Sequence, residues 1–139
     1  MSVELKGLDE VLEGLDIFTD IDRVERGLKK ACATVERTAK QKAQVGRGTG
    51  ELARSITSRV TDLIGEVYTP LEYAPYVEYG TGIYAEEQGR QDVPWTYKDD
   101  EGNWHTTSGR NPAPYMRPAL YENKDKILEI LKGSMVNND

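Results

Sequence analysis

The side chains best suited to chemistry in this chain are one histidine, one cysteine and several clustered carboxylates. His105 is the only histidine and Cys32 is the only cysteine. A metal site needs several such ligands at close spacing, and a catalytic triad needs a nucleophile beside its histidine. Neither pattern surrounds His105. We therefore predict no catalytic residue, no metal site and no cofactor, and the chain is not expected to be an enzyme.

The spacing of Gly46, Gly48 and Gly50 resembles that of the glycines in a phosphate-binding loop, but the elements predicted on either side of them differ. A nucleotide loop follows a strand and opens a helix, so that backbone amides meet the phosphate at the start of the helix. Here the glycines follow a long predicted helix, and no Gly-Lys-Ser or Gly-Lys-Thr is present. We interpret them as a connection from helix to strand. The acidic runs 86–87 and 99–101 are typical of solvated turns.

Two tryptophans lie on either side of a predicted turn over residues 98–103, in a hairpin that also contains Tyr97. Trp95 and Trp104 could stack on a base or a sugar. One hypothesis is therefore a small soluble ligand-binding module or enzyme that uses this hairpin. In the other, these rings pack across the hairpin or against a neighbouring subunit. The net charge of -6 argues against a nucleic-acid-binding protein and against binding to an anionic membrane surface.

Hydrophobic patterns predict an α+β fold that positions these residues. We expect a small antiparallel sheet packed against one long N-terminal helix and a C-terminal helix, with a projecting β-hairpin. The predicted elements are a short strand over 3–6, a small helix capped by Asp9, a long helix over 20–43, strands over 54–61 and 65–69, a projecting segment over 84–111, a helix from Tyr115 or Arg117 to Lys132 that Gly133 ends, and a frayed tail over 134–139. The predicted core residues are Leu28, Val35, Ile56, Val67, Leu120 and Ile127.

Composition sets the class of protein. A chain of 139 residues with 37% hydrophobic and 30% charged residues is typical of one soluble domain, here 1–139. One cysteine cannot form an internal disulfide, no apolar run reaches the roughly 18 residues of a membrane span, and Met1–Glu4 leads directly into charged sequence rather than a signal peptide. We expect a protein made in a reducing cytoplasm.

The segment Tyr73–Gly82 contains three tyrosines at a spacing of three. Pro75 suits the first turn of a helix and Gly80 suits its end, so the pattern predicts a very short helix. Residues three apart drift by about 60° around a helix, so at least one of the tyrosine rings should point outward. Glu78 is either a buried acid paired with Arg117 or with an arginine of another subunit, or a partly exposed helix acid.

Three blocks of the sequence carry a family resemblance. They are Thr49–Ile56, Tyr73–Gly82 and Pro114–Leu120, in that order along the chain. Together with the long helix they resemble the gene-product-ten-like family of tailed-phage neck and tail-completion proteins, over roughly residues 3–132. The hairpin segment is the part least similar to the family.

This resemblance implies a structural role in the head-to-tail joint of a phage or prophage. It implies a ring of identical subunits, expected to be hexameric, acting as a neck, tail-completion or tail-terminator protein around the channel through which DNA passes. The expected partners are other neck and tail proteins, and the expected location is the virion, after assembly in the host bacterial cytoplasm. The predicted subunit-interface residues are Tyr73, Tyr76, Glu78, Tyr79, Trp95, Tyr97, Trp104 and Arg117.

Overall fold

The computed structural model describes residues 1–5, 21–44, 50–86, 89 and 92–136. The predicted small helix at Asp9, the glycines Gly46 and Gly48 and the last three residues lie outside these ranges. The elements are β1 (Ser2–Leu5), α1 (Ile21–Gln44), α2 (Glu51–Ser55), β2 (Thr57–Thr61), β3 (Ile64–Tyr68), α3 (Ala74–Tyr79), a 3-10 turn (Gly82–Tyr84), β4 (Trp95–Lys98), β5 (Trp104–Thr107), α4 (Met116–Glu122) and α5 (Lys124–Val136). The chain divides into two compact units, and the prediction of one domain stays a prediction.

The first unit contains Met1–Leu71 and Tyr115–Asp139. Its three strands form an antiparallel sheet in the order β1-β3-β2. Val67 at the centre of β3 lies opposite Val3 on one side and Ser58 on the other. Residues of a strand alternate between the two faces of a sheet, so one face of β3 is buried and the other faces solvent. The predicted antiparallel sheet is confirmed.

Helix α1 provides the framework of this unit. Apolar residues at spacings of three and four place one stripe along the helix, and the buried members of that stripe include Leu28, Val35 and Ala39. This stripe packs on the sheet and on α4 and α5. The predicted fold class and the long helix over 20–43 are therefore confirmed. Of the six predicted core residues, five are buried and Leu120 is half-buried.

The segment before β2 differs from the prediction. The strand begins at Thr57, and residues 51–55 form α2 instead. The Ser55 hydroxyl donates to the Leu52 carbonyl at 2.6 Å and lies 2.7 Å from the Thr69 hydroxyl. A β-branched, alternating pattern starting at Ser55 concealed this turn of helix, because serine can satisfy the backbone at a helix end as well as sit in a strand.

The C-terminal helix also differs from the prediction. It is divided at Asn123, whose side-chain amide donates to the Ala119 carbonyl at 2.7 Å and to the Thr38 hydroxyl at 2.9 Å. Gly133 does not end the second part, since α5 continues to Val136. Glycine is a poor helix residue but no obstacle, and its cost of about 1 kcal/mol can be offset by packing. The buried side chains of Ile127 and Leu131 supply that packing.

The second unit is Glu72–Pro114. It contains α3, the 3-10 turn and the antiparallel hairpin β4-β5. The predicted hairpin is therefore present, with strands beginning at the two tryptophans. Its projection from the rest of the chain stays a prediction.

Candidate interaction site

The tyrosine helix α3 holds the first group of predicted interface residues. Pro75 lies in the first turn, where a missing N–H costs the helix nothing, and Tyr73 is the residue before the helix. Tyr73, Tyr76 and Tyr79 are 40%, 61% and 38% exposed. The prediction that at least one of these tyrosines faces outward is confirmed by Tyr76, and the other two are partly exposed.

Gly80 ends the helix in a backbone conformation that other residues resist. Its φ is 84° and its ψ is 176°, a region that glycine alone visits readily. A Cβ at this position would also lie 2.9 Å from the Arg110 carbonyl oxygen and from Pro112 Cδ. The end of the tyrosine helix is therefore fixed by both conformation and packing.

The segment after the helix pairs with the chain that returns from the hairpin. The amides of Thr81 and Ile83 donate to the carbonyls of Arg110 and Ser108 at 2.9 and 3.1 Å. The Arg110 amide donates to the Thr81 hydroxyl at 2.9 Å. Gly82 lies between these bonds with φ +62°, and a Cβ there would collide with the Ser108 carbonyl. These bonds tie the base of the hairpin to the tyrosine helix.

Asp99 organises the turn of the hairpin. Its carboxylate accepts hydrogen bonds from the backbone amides of Asn103 and Glu101 at 2.8 and 3.0 Å, and it is hydrogen-bonded to His105 Nε2 at 2.6 Å. The hydrogen bond to His105, followed by that from the Asn103 amide, lowers the pKa of Asp99 below its ordinary value of 3.8. The acidic run 99–101 is thus a structured turn, closed by Gly102 at a φ of 88°.

The register of the hairpin separates its two tryptophans. Residues directly opposite each other share a face, and faces alternate along each strand. Trp95 lies opposite Thr107 and Trp104 opposite Lys98, so the two indoles are on opposite faces. On one face the rings of Tyr97 and His105 stack with centroids 5.2 Å apart. On the other, Lys98 Nζ lies 5.9 Å from the centre of the Trp104 ring.

The second unit exposes much of its apolar surface. Among the described residues, ten large hydrophobic side chains are exposed, and seven of them lie in this unit. They are Tyr73, Tyr76, Tyr79, Ile83, Tyr84, Tyr97 and Trp104, and Trp104 is 70% exposed. Exposed apolar side chains concentrated in this way are characteristic of interaction sites.

The remaining predicted residues lie in different settings. Trp95 is half-buried. Arg117, the second residue of α4 in the first unit, is half-buried as well. Glu78 is completely buried. No buried side-chain nitrogen or oxygen in the described part of the chain lacks a hydrogen-bond partner, so the Glu78 carboxylate is satisfied. The proposed pairing of Glu78 with Arg117 stays a prediction.

Two features of this region were not predicted from the sequence. Ile83 and Tyr84 extend the exposed apolar surface beyond the tyrosine helix, and the Asp99–His105 bond fixes the hairpin turn. The first could have been inferred from the bulky pair that directly follows Gly82. The second joins Asp99 and His105, which are six residues apart in sequence and are brought together only by the register of the hairpin.

The chain matches a known protein family over residues 9–80. The matching family is described as "Bacteriophage HK97-gp10, putative tail-component". The chain belongs to this family. The match covers the long helix, strands β2 and β3 and the tyrosine helix, and it ends at Gly80, before the hairpin.

Membership of the HK97-gp10-like family confirms the resemblance seen in the blocks Thr49–Ile56 and Tyr73–Gly80. The third block, Pro114–Leu120, lies beyond the match. No curated protein and no solved structure matches the chain. The family description supports a structural role as a tail component of a phage virion.

Across the described residues, no group of three or more histidine, cysteine, aspartate or glutamate side chains is placed to hold a metal ion. None of the helices in the described ranges has the length and apolar character needed to cross a membrane.

Proposed function

We propose that this HK97-gp10-like chain is a ring-forming subunit of the phage head-to-tail joint, acting as a neck, tail-completion or tail-terminator protein. The observation that carries the proposal is the concentration of exposed aromatic and aliphatic side chains in the second unit. A subunit that repeats around a ring needs a large surface of this kind, because each copy contacts two neighbours through different faces.

The charge of the chain suits a channel through which DNA passes. With a net charge of -6, the subunit does not provide the excess of lysine and arginine that holds a DNA backbone by neutralising its phosphates. A ring of such subunits lets DNA move through rather than retaining it. DNA is then cargo, while the lasting partners are further copies of the chain and other neck and tail proteins in the virion.

The ligand-binding alternative receives less support from the geometry. A base or a sugar is held most strongly when it stacks between two aromatic rings. Trp95 and Trp104 cannot do this for one ligand, since the register of the hairpin puts them on opposite faces. Rings on both faces are better suited to contacts with protein on both sides.

Disruption of the gene in its phage tests the role directly. A neck or tail-completion protein predicts filled heads and finished tails that fail to join, visible by electron microscopy. A tail terminator predicts tails of uncontrolled length. Normal virions from the disrupted phage would contradict the proposal.

A deletion in the hairpin tests which part of the chain makes the contacts. Removal of about residues 90–108 should leave the first unit folded, with its melting temperature close to that of the full chain, and should abolish joining of heads to tails. The matched control is a chain in which the same residues are replaced by a glycine–serine linker of equal length. Full complementation by either variant would show that the hairpin makes no essential contact.

A further inference from the structure

The hairpin β4-β5 needs contacts beyond its own two strands to be stably ordered. Each strand has four residues, and six of these eight residues are exposed. A two-stranded hairpin alone is at best marginally stable in water, and a third strand or a packed face is needed for lasting order. The backbone groups along its edges are the first place to look for that third strand.

The bonding pattern shows which backbone groups point outward. The Asp99 amide donates to the Asn103 carbonyl at 2.8 Å, so this pair is hydrogen-bonded. Bonded and non-bonded pairs alternate along an antiparallel ladder. The non-bonded pairs are therefore Lys98–Trp104 and Thr96–Thr106, and their N–H and C=O groups point away from the hairpin.

The two edges of the hairpin are not equivalent. The β4 edge is preceded by Pro94, which has no N–H, and it contains Lys98. Proline and lysine are the usual means by which a protein blocks an edge strand. The β5 edge contains neither residue.

The β5 edge is already used for strand pairing at its base. The Ser108 and Arg110 carbonyls accept the amides of Ile83 and Thr81 along this edge. At Ala85 the pairing segment turns away, since its amide bonds back to the Gly82 carbonyl at 3.3 Å. Thr106 and Trp104 come next along the edge, and no described residue bonds to their outward backbone groups.

A matching edge exists on the sheet of the first unit. Strand β2 is an outer strand, with five residues and no proline or lysine. The Thr69 amide donates to the Met1 carbonyl at 3.2 Å, so alternation along the ladder makes Val3–Val67 a bonded pair of β1 and β3. The backbone groups of Val67 then point toward β1, and those of Ser58 and Val60 in β2 point outward. Its β-branched residues and its length suit an added strand.

The one charged side chain of β2 does not obstruct this edge. Arg59 Nη2 lies 3.0 Å from Glu66 Oε2, and the guanidinium lies 4.7 Å from the centre of the Tyr68 ring. Both partners belong to β3, on the solvent face of the sheet. The guanidinium is thereby directed over the sheet, so the Arg59 side chain does not block the outer edge of β2.

We propose that β5 of one copy pairs with β2 of the next copy, so that the hairpin of one subunit extends the three-stranded sheet of its neighbour. This inference rests on the proposed ring and names the strands that join it. Each copy supplies one β5 edge and one β2 edge, which are different surfaces. A contact between two different surfaces is head-to-tail, and it closes into a ring when the rotation per subunit allows.

Proline substitutions at outward positions test the pairing. Thr106→Pro and Ser58→Pro each remove one outward N–H and place a ring in the path of the added strand, without removing a bond of the subunit's own ladder. Each should weaken self-assembly by about tenfold or more, measured by sedimentation of the full chain or by complementation of the phage. Thr96→Pro is the matched control, because it makes the same change on the other edge of the hairpin, and it should assemble as the wild-type chain does.

Hydrogen exchange on the wild-type chain gives a second measurement that does not depend on the variants folding. On assembly, the amides of Trp104, Thr106, Ser58 and Val60 should exchange at least about tenfold more slowly, while those of Thr96 and Lys98 should not change. A ring that forms with no slowing at the β5 and β2 amides would overturn this inference and leave the proposed function standing. Slowing that occurs only when another tail protein is added would also overturn it, since the occupant of the edge would then be that protein. A wild-type chain that forms no ring in solution or in particles would overturn both.

Discussion

Replacement of Tyr76 by alanine should weaken assembly far more than it weakens the folded chain. The side chain is 61% exposed. A fully covered tyrosine buries about 200 Å², so about 120 Å² of Tyr76 is available to a neighbouring subunit. At about 25 cal/mol per Å², covering that area contributes about 3 kcal/mol, or on the order of 100-fold in the dissociation constant of the interface.

The same change should have a small effect on the monomer. The covered part of the ring is the minor part and the alanine Cβ retains some of its contacts, so the folded chain should lose about 1 kcal/mol, or a few degrees of melting temperature. Sedimentation equilibrium measures the assembly, and circular dichroism measures the melting temperature. Tyr121→Ala is the matched control, because Tyr121 is 72% exposed but lies on α4 in the first unit.

Assembly of Tyr76→Ala with wild-type affinity would contradict this prediction. Equal weakening of assembly by Tyr121→Ala would contradict it as well, since exposure alone would then explain the effect. A fall in melting temperature of ten degrees or more for Tyr76→Ala would show that the ring supports the folded unit rather than an interface.

Four further outcomes are expected. Leu28→Ala, at a position 1% exposed, should lower the free energy of unfolding by about 2–5 kcal/mol in urea titration, and a loss below about 1 kcal/mol would show that its stripe is not a packed core. Leu63→Gly should raise the free energy of unfolding by about 0.5–1 kcal/mol, because Leu63 has a φ of 61° in the two-residue turn between β2 and β3, and unchanged stability would mean that the turn holds no strain. The pKa of Asp99 is lowered in the folded chain, so the Asp99 carboxylate should stabilise the hairpin fully above the ordinary pKa of 3.8, and this stabilisation should be lost as the pH falls through the lower folded pKa. The NMR shifts of the His105 ring should report this loss. If Asp99→Asn shows the same pH dependence, a group other than Asp99 is responsible. Burial, with a smaller effect of the nearby Glu36 charge, raises the pKa of Cys32 to about 11, so iodoacetamide at pH 8 should alkylate the unfolded chain and not the folded one.

The sequence predicted those parts of the fold that depend on a regular pattern. The stripe of α1 repeats over six turns, so errors at single positions do not disturb it, and α1 was predicted within one residue at each end. The hairpin was predicted from two aromatic and threonine-rich segments around a polar turn, and the strands β4 and β5 lie there. In both cases the pattern extends over many residues that all favour the same secondary structure.

The parts that were not predicted depend on single side chains and their distant partners. Helix α2 is one turn long, and the hydroxyl of its last residue Ser55 is hydrogen-bonded to that of Thr69, 14 residues away along the chain. The break at Asn123 is accompanied by a bond to Thr38, which is 85 residues away along the chain. A local pattern carries no information about such contacts, so the element boundaries they determine could not be read from the sequence.

The candidate site shows the same division. The periodicity of the tyrosines indicated that at least one ring must be outward, and that inference needed only the geometry of a helix. The burial of Glu78 could not be decided in this way, because a residue beside three tyrosines on a helix of six residues can face either side. Its complete burial shows that the helix has an inner face with one carboxylate, and an outer face formed by aromatic rings.

The family match ends at Gly80, after the tyrosine helix and before the hairpin. The tyrosine helix therefore belongs to the part of the chain that matches the HK97-gp10-like family, and the interface proposed there rests on the exposure of its side chains. The hairpin lies outside the match, and its proposed role rests on its exposed aromatic side chains, on Pro94 before the β4 edge, and on the outward backbone groups of Thr106 and Ser58. In the proposed assembly, the exposed aromatic side chains provide most of the binding energy between subunits, and strand pairing fixes the register in which neighbouring subunits meet. Alanine at Tyr76 should then reduce the affinity of subunits that still meet correctly, whereas proline at Thr106 should disturb which surfaces meet.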